Sequence, residues 1–330
     1  MRIFLSAFFI LTLASCEMDR PVNKVSSAAS CLAPQAIIYG DNNISKVEEL
    51  ENRDLTELAK SVAAVVSSHR VMDVDHQRDH LLFRGETLAS AYRMCDDSLN
   101  SQRAGIRCTS FLVGKDLLLT AGHCLVDPQL GSTKEEVCEN SEYIFDLNDS
   151  AFQGESSVIA RIEREKAYKC QSIVDYKLDD DGDYALIKLN REVSDREPLK
   201  LLNIQDLKYG NAISTIGFPL GLTLRASTDG QFFELSNDKR WLLNQVDTFF
   251  GSSGGPIIDE ATKMVVGIHT HGLKGSLVLD KENACYRFSE ACQNPRDCGA
   301  SKAFNISLIE ELQNKVIEQS QVQRQESGCE

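Results

Sequence analysis

The sequence predicts an all-β fold, and three observations predict it. From about residue 105 the chain is written in short apolar runs: Ser110-Phe-Leu-Val, Leu117-Leu-Leu-Thr, Ser157-Val-Ile-Ala, Tyr184-Ala-Leu-Ile-Lys-Leu, Ala212-Ile-Ser-Thr-Ile, Pro256-Ile-Ile and Met264-Val-Val-Gly-Ile. Turn residues separate these runs, and many short strands at such spacing are the pattern of a barrel or a sandwich. A clear helical period comes only at the end. There Ser307-x-x-Glu310 has the form of a capping box, and Leu308, Ile309, Leu312, Val316 and Ile317 fall on one helical face. Earlier, Leu55 to Val66 is compatible with a helix passing into a strand, which periodicity alone does not decide. The polar stretch after Gln319 predicts a mobile tail.

With 330 residues and 42% hydrophobic content the chain can bury a full core. Its 35 basic and 49 acidic residues give a net charge of −14. That balance argues against nucleic-acid binding, which needs clustered Lys and Arg, and describes an acidic, soluble surface. The N-terminus reads as an export signal. Met1-Arg2 is a short basic region, and Ile3 to Leu13 is an apolar stretch too short to span a bilayer. Leu13-Ala14-Ser15-Cys16 resembles a bacterial lipobox, which marks Cys16 for lipidation and the mature chain for the periplasm, cell surface or medium. Residues 1–15 are then signal peptide, and the small polar stretch 16–35 is a tether. With Cys16 set aside, the remaining ten cysteines suit up to five disulfides in an oxidising compartment. No C-x-x-C pair occurs, so no zinc site is expected.

Three segments carry chemistry. A hydroxyl is a weak nucleophile: it needs a base, a group that fixes the base's tautomer, and donors for the oxyanion. Leu117-Leu-Leu-Thr-Ala-Gly-His-Cys124 ends an apolar strand on His123, the candidate base. Cys108, sixteen residues before Cys124, would let a disulfide pin that loop to a neighbouring strand. Asp183 stands immediately before the apolar run Tyr184-Ala-Leu-Ile, where a carboxylate can be shielded. Asp179, Asp180 and Asp181 sit in an acidic turn better suited to solvent. Gly251-Ser-Ser-Gly-Gly-Pro256 bends tightly enough to present the Ser253 hydroxyl and aim the N–H groups of Gly251 and Ser253 at one point.

In these strings and their His-Asp-Ser order the chain resembles the chymotrypsin-like (trypsin-fold) serine peptidases, and within them the bacterial V8-like glutamyl endopeptidases. The resemblance covers about residues 36–317 and includes Ile37-Ile-Tyr-Gly-Asp-Asn-Asn, similar to the segment with which such catalytic domains begin. It implies two antiparallel six-stranded barrels with the site between them. The first would take about residues 36–200, the second about 201–304 and the helix about 305–319, within a domain of 36–320 that leaves 321–330 as tail. It implies protein or peptide substrates and no cofactor or metal.

Ser252 departs from the trypsin-like zymogens, which keep there an Asp that pairs with a newly cut N-terminus. The V8-like enzymes keep Asn. Aligned on Gly251-x-Ser253, Asp247 and Thr248 fall in one wall of the specificity pocket, and His269 falls in the opposite strand. Thr248 and His269 match the positions that bind the substrate carboxylate in glutamate-cleaving relatives, and both side chains can donate. Asp247 matches the position that binds Arg or Lys in trypsin-like enzymes, and a carboxylate there would repel Glu. The balance favours cleavage after Glu, with Arg or Lys second. His271 reads as a rim residue of the cleft. The competing function is a catalytically silent binding protein on the same fold, disfavoured because all three catalytic positions are filled. An α/β-hydrolase is disfavoured too, since its order would be Ser, acid, His.

Overall fold

In the computed structural model the described residues are 38–39, 41–74, 79–126, 131–152, 157–272, 277–288, 292 and 299–326. The export segment, Cys16, Cys31, Cys298 and Cys329 lie outside them. Six strands close into a first barrel: β1 (Val62–Ser67), β2 (Cys108–Gly114), β3 (Leu117–Thr120), β4 (Ser141–Phe145), β5 (Ala167–Asp179) and β6 (Gly182–Leu189). Six more make a second: β7 (Ala212–Gly217), β8 (Arg225–Leu235), β9 (Trp241–Gln245), β10 (Pro256–Asp259), β11 (Met264–His271) and β12 (Ser301–Asn305). All these pairings are antiparallel, and both barrels follow one order, first-second-third-sixth-fifth-fourth and back to the first. This is the chymotrypsin-like architecture.

The apolar runs are continuous rather than alternating because both faces of these strands are covered. Ala63, Leu112, Leu118, Tyr143, Tyr168 and Ile187, one from each strand of the first barrel, belong to a cluster that fills it. Ile213, Phe232, Leu242, Ile257, Val266 and Ala303 do the same in the second. The intervening residues turn outward into a third cluster that joins the barrels, with Phe111 and Leu119 on one side and Ile216, Ile258, Ile268 and Phe304 on the other. Alternate residues of one strand therefore serve two cores, the period-2 geometry of a strand buried on both faces.

Three features differ from the sequence expectations. The strand Ile44–Lys46 pairs antiparallel with β8, Ile44 opposite Ser227, so the start of the described chain joins the second barrel rather than the first. The C-terminal helix spans Glu310–Glu326, later than expected, and takes up most of the predicted tail. Ser307 forms no capping box. It lies in a 3₁₀ turn and donates its N–H to Asn305 Oδ1 at 3.0 Å. Of the predicted helical face, Ile309 and Leu312 are buried, while Leu308 and Ile317 are 43% and 49% exposed. The boundary shift follows from the chain having to leave β12 before it can turn onto the inter-barrel cluster. Leu55 to Val66, undecided by periodicity, passes from helix (Arg53–Ala59) into β1.

Cysteines pair as Cys108–Cys124, Cys138–Cys170 and Cys95–Cys285. The second closes a loop of 32 residues that joins the short helix Lys134–Glu139 to β5. Replacing both its cysteines by Ala should lower stability by about 3–4 kcal/mol from loop entropy. Urea unfolding of the double variant against the parent checks this.

Candidate active site

His123 is delivered by strand register. Thr120 at the end of β3 lies opposite Ala185 in β6, so two residues further on the chain reaches the level of Asp183. There it turns into the 3₁₀ segment Gly122–Leu125, which swings His123 over β6. Gly122 permits this approach: a Cβ there would sit 2.2 Å from the Lys177 carbonyl oxygen and 3.1 Å from the Tyr184 backbone. Cys124 fastens the turn to Cys108 at the head of β2.

Asp183 holds His123 twice. Its Oδ1 accepts the His123 backbone N–H at 2.9 Å, and its Oδ2 lies 2.7 Å from His123 Nδ1. The carboxylate is only 2% exposed. Burial alone would raise its pKa. The imidazole charge, the ring N–H and the backbone N–H of His123 overturn that and hold it below the usual carboxylate range. With Nδ1 donating to Asp183, the neutral ring carries its free lone pair on Nε2, as a base requires. Asp179, Asp180 and Asp181 are exposed, and Asp181 pairs with Arg240.

Ser253 sits partly exposed in the loop joining β9 to β10. Thr109 of β2 anchors this loop from the other barrel. Its N–H donates to the Ser253 carbonyl at 2.8 Å, and its Oγ1 donates to the Gly251 carbonyl at 2.8 Å. The next residue back is Cys108, the disulfide partner of Cys124 beside His123. The serine loop and the histidine turn are thus tied to one point of β2. Gly254, at φ +85°, fits the seam: a Cβ there would lie 2.0 Å from the Thr109 carbonyl oxygen and 2.3 Å from Thr120 Oγ1.

Within the loop, Ser252 N–H donates to Phe249 O, Gly254 N–H to His269 O and Gly255 N–H to Ser252 O. Among the described residues no acceptor takes the N–H of Gly251 or of Ser253. The Phe250 carbonyl is turned away to the Leu220 N–H. Two free donors, on Ser253 itself and two residues before it, are what a developing oxyanion at that serine would need.

The pocket residues separate. Asp247 is spent on the N-terminal segment: Oδ1 accepts the Tyr39 N–H at 2.8 Å and Oδ2 the Asn43 N–H at 2.9 Å. Both oxygens expected to face a substrate are thus engaged by backbone donors. Burial raises its pKa above the usual carboxylate value, and those two donors oppose the rise only in part. Thr248 and His269 are buried, and among the described residues neither Thr248 Oγ1 nor His269 Nδ1 has a hydrogen-bond partner. Burial, with smaller contributions from the charges of His271 and His123, pushes His269 down to about 3, so the ring is neutral in any ordinary buffer. Cys108, His123 and Cys124 lie close enough to bind a metal, but both sulfurs are spent in the disulfide. Sequence reasoning missed Thr109, whose only signal is its place next to Cys108, and the anchoring of Asp247.

Residues 108–268 match the family model described as a trypsin-like peptidase domain. Among solved structures the chain is similar to a Glu endopeptidase in complex with MPD, at 14% identity over 85% of this chain and 100% of that one, with a TM-score of 0.48. It is also similar to the Vibrio cholerae VesB protease, at 17% identity over 84% of this chain and 67% of that one, with a TM-score of 0.45. No curated protein sequence matches it.

Because the folded-state pKa of Asp183 is lowered, its pairing with His123 stabilises the protein fully above the unfolded value of about 4 and is lost as pH falls through the folded value. Asp183→Asn should flatten this part of the acid-unfolding curve, read as urea midpoint against pH from 6 down to about 2.

Proposed function

Because the chain is a serine endopeptidase carrying a trypsin-like peptidase domain, we propose that Ser253 is its nucleophile, His123 its general base and Asp183 the group that orients the base, and that it cleaves after Glu. The observation that carries this reading is the double hold of Asp183 on His123, at 2.9 and 2.7 Å, which leaves Nε2 as the base. His123 takes the Ser253 proton as Oγ attacks the scissile carbonyl. The oxyanion is received by the N–H groups of Gly251 and Ser253, and His123 returns the proton to the leaving amine. Water then repeats the sequence on the acyl-enzyme.

Preference for Glu is supported by what the pocket leaves unpaired. A buried polar atom without a partner costs about 1–3 kcal/mol, and a substrate carboxylate would satisfy both Thr248 Oγ1 and His269. Asp247, already committed to Tyr39 and Asn43, no longer supports an Arg or Lys pocket. The purified protein given an unbiased peptide mixture should cut after Glu, and Ser253→Ala should cut nothing. Asp183→Asn should lower kcat about ten-thousand-fold by fixing the wrong tautomer, and Thr248→Val should lower kcat/KM on Glu peptides about 10- to 100-fold. Cuts after Arg or Lys would return the pocket to Asp247. A folded protein that cuts nothing would be a binding protein on this fold.

Export is part of the same reading. The apolar stretch ending in Leu13-Ala14-Ser15-Cys16 supports a secreted chain anchored by lipid on Cys16. The expressed protein should incorporate labelled fatty acid and partition into detergent. Cys16→Ser should abolish both, and unchanged labelling would refute the anchor.

A further inference from the structure

His271 ends β11, two residues after His269, and a regular strand would point both rings to one side. The ladder is not regular there: His269 pairs with Ala303 and His271 with Lys302, so Thr270 is the extra residue of a bulge. Bulges re-aim side chains. The His271 ring packs edge-on against Trp241, with centroids 5.6 Å apart, and its centroid lies 6.3 Å from that of His123. Its Nε2 is 3.9 Å from Asp183 Oδ2, the same oxygen that His123 Nδ1 holds at 2.7 Å.

The hydrogen bonds fix the tautomer. Thr270 Oγ1 donates its only proton to the Lys302 carbonyl at 3.1 Å, so towards His271 Nδ1, 2.9 Å away, it can only accept. Neutral His271 therefore carries its proton on Nδ1 and shows Asp183 the Nε2 lone pair, which no carboxylate binds. Protonation at Nε2 turns that face into a charged donor. The groups bearing on the ring are Asp183 of β6, which favours the proton, and His123 and Lys302 of β12, which oppose it; His269 is its neighbour on β11. Burial is the largest influence and holds His271 below the usual histidine value.

We propose that His271 is a proton-controlled positioning residue: once protonated it draws Asp183 Oδ2 away from His123 and silences the peptidase in acid. The inference rests on the reading of His123, Asp183 and Ser253 as the catalytic triad.

The test is kcat/KM against pH on a Glu-containing peptide for the full chain and for His271→Phe, which keeps an aromatic ring against Trp241. If His271 must be neutral, the acid limb of the parent steepens from one proton towards two. The variant keeps a one-proton limb and, one pH unit below the point of steepening, retains about tenfold more of its own plateau activity. A one-proton limb in both proteins overturns the role of His271 and leaves the triad standing. A folded parent that cleaves nothing at any pH overturns the peptidase reading and this inference with it. Should His271→Phe not fold, histidine NMR titration of Ser253→Ala decides: the His123 signal must show a second inflexion at the pH where His271 titrates, and a single inflexion refutes the contact.

Discussion

The two hydrogen bonds that Asp183 accepts from His123 are the constraint on which the rest of the site depends. A buried carboxylate is unfavourable unless its lone pairs are filled, and here both fillers come from a single residue. That demand fixes the neighbourhood. It needs the β3–β6 register, which brings residue 122 level with Asp183, and a glycine at 122, which lets the turn lie against β5 and β6. It also needs the Cys108–Cys124 bridge, which stops the turn from drifting. The disulfide's entropic contribution for so short a loop is modest, about 3 kcal/mol, and its positional effect matters more.

The same strand β2 carries the constraint across to the second barrel. Thr109 fills the carbonyls of Gly251 and Ser253, and Gly254 removes the Cβ that would hold the serine loop off the seam. The N–H groups of Gly251 and Ser253, Thr248 Oγ1 and His269 Nδ1 have no partner among the described residues.

Much of this was legible in the sequence, and the reasons are local. Continuous apolar runs such as Leu117-Leu-Leu and Met264-Val-Val-Gly-Ile report strands covered on both faces, and the Gly-His-Cys and Gly-Ser-Ser-Gly-Gly strings need glycines for close approach and positive φ. What was not legible depends on distant partners. Asp247 was assigned to the pocket by alignment, yet its oxygens are taken by N–H groups more than 200 residues earlier. Nothing in Cys95 or Cys285 announces a bond across 190 residues. The bulge at Thr270, which shifts the register between His269 and His271, has no signature in the sequence. The Ser307 cap failed because Asn305, two residues earlier, takes the Ser307 N–H at the exit of β12.

The central claim is that Ser253 is a nucleophile activated by His123. The most direct measurement is stoichiometric reaction of the folded protein with a fluorophosphonate, followed by mass mapping of the adduct. One adduct on Ser253, absent in His123→Ala, is the expected result. No adduct, an adduct on another residue, or equal labelling of His123→Ala would contradict it.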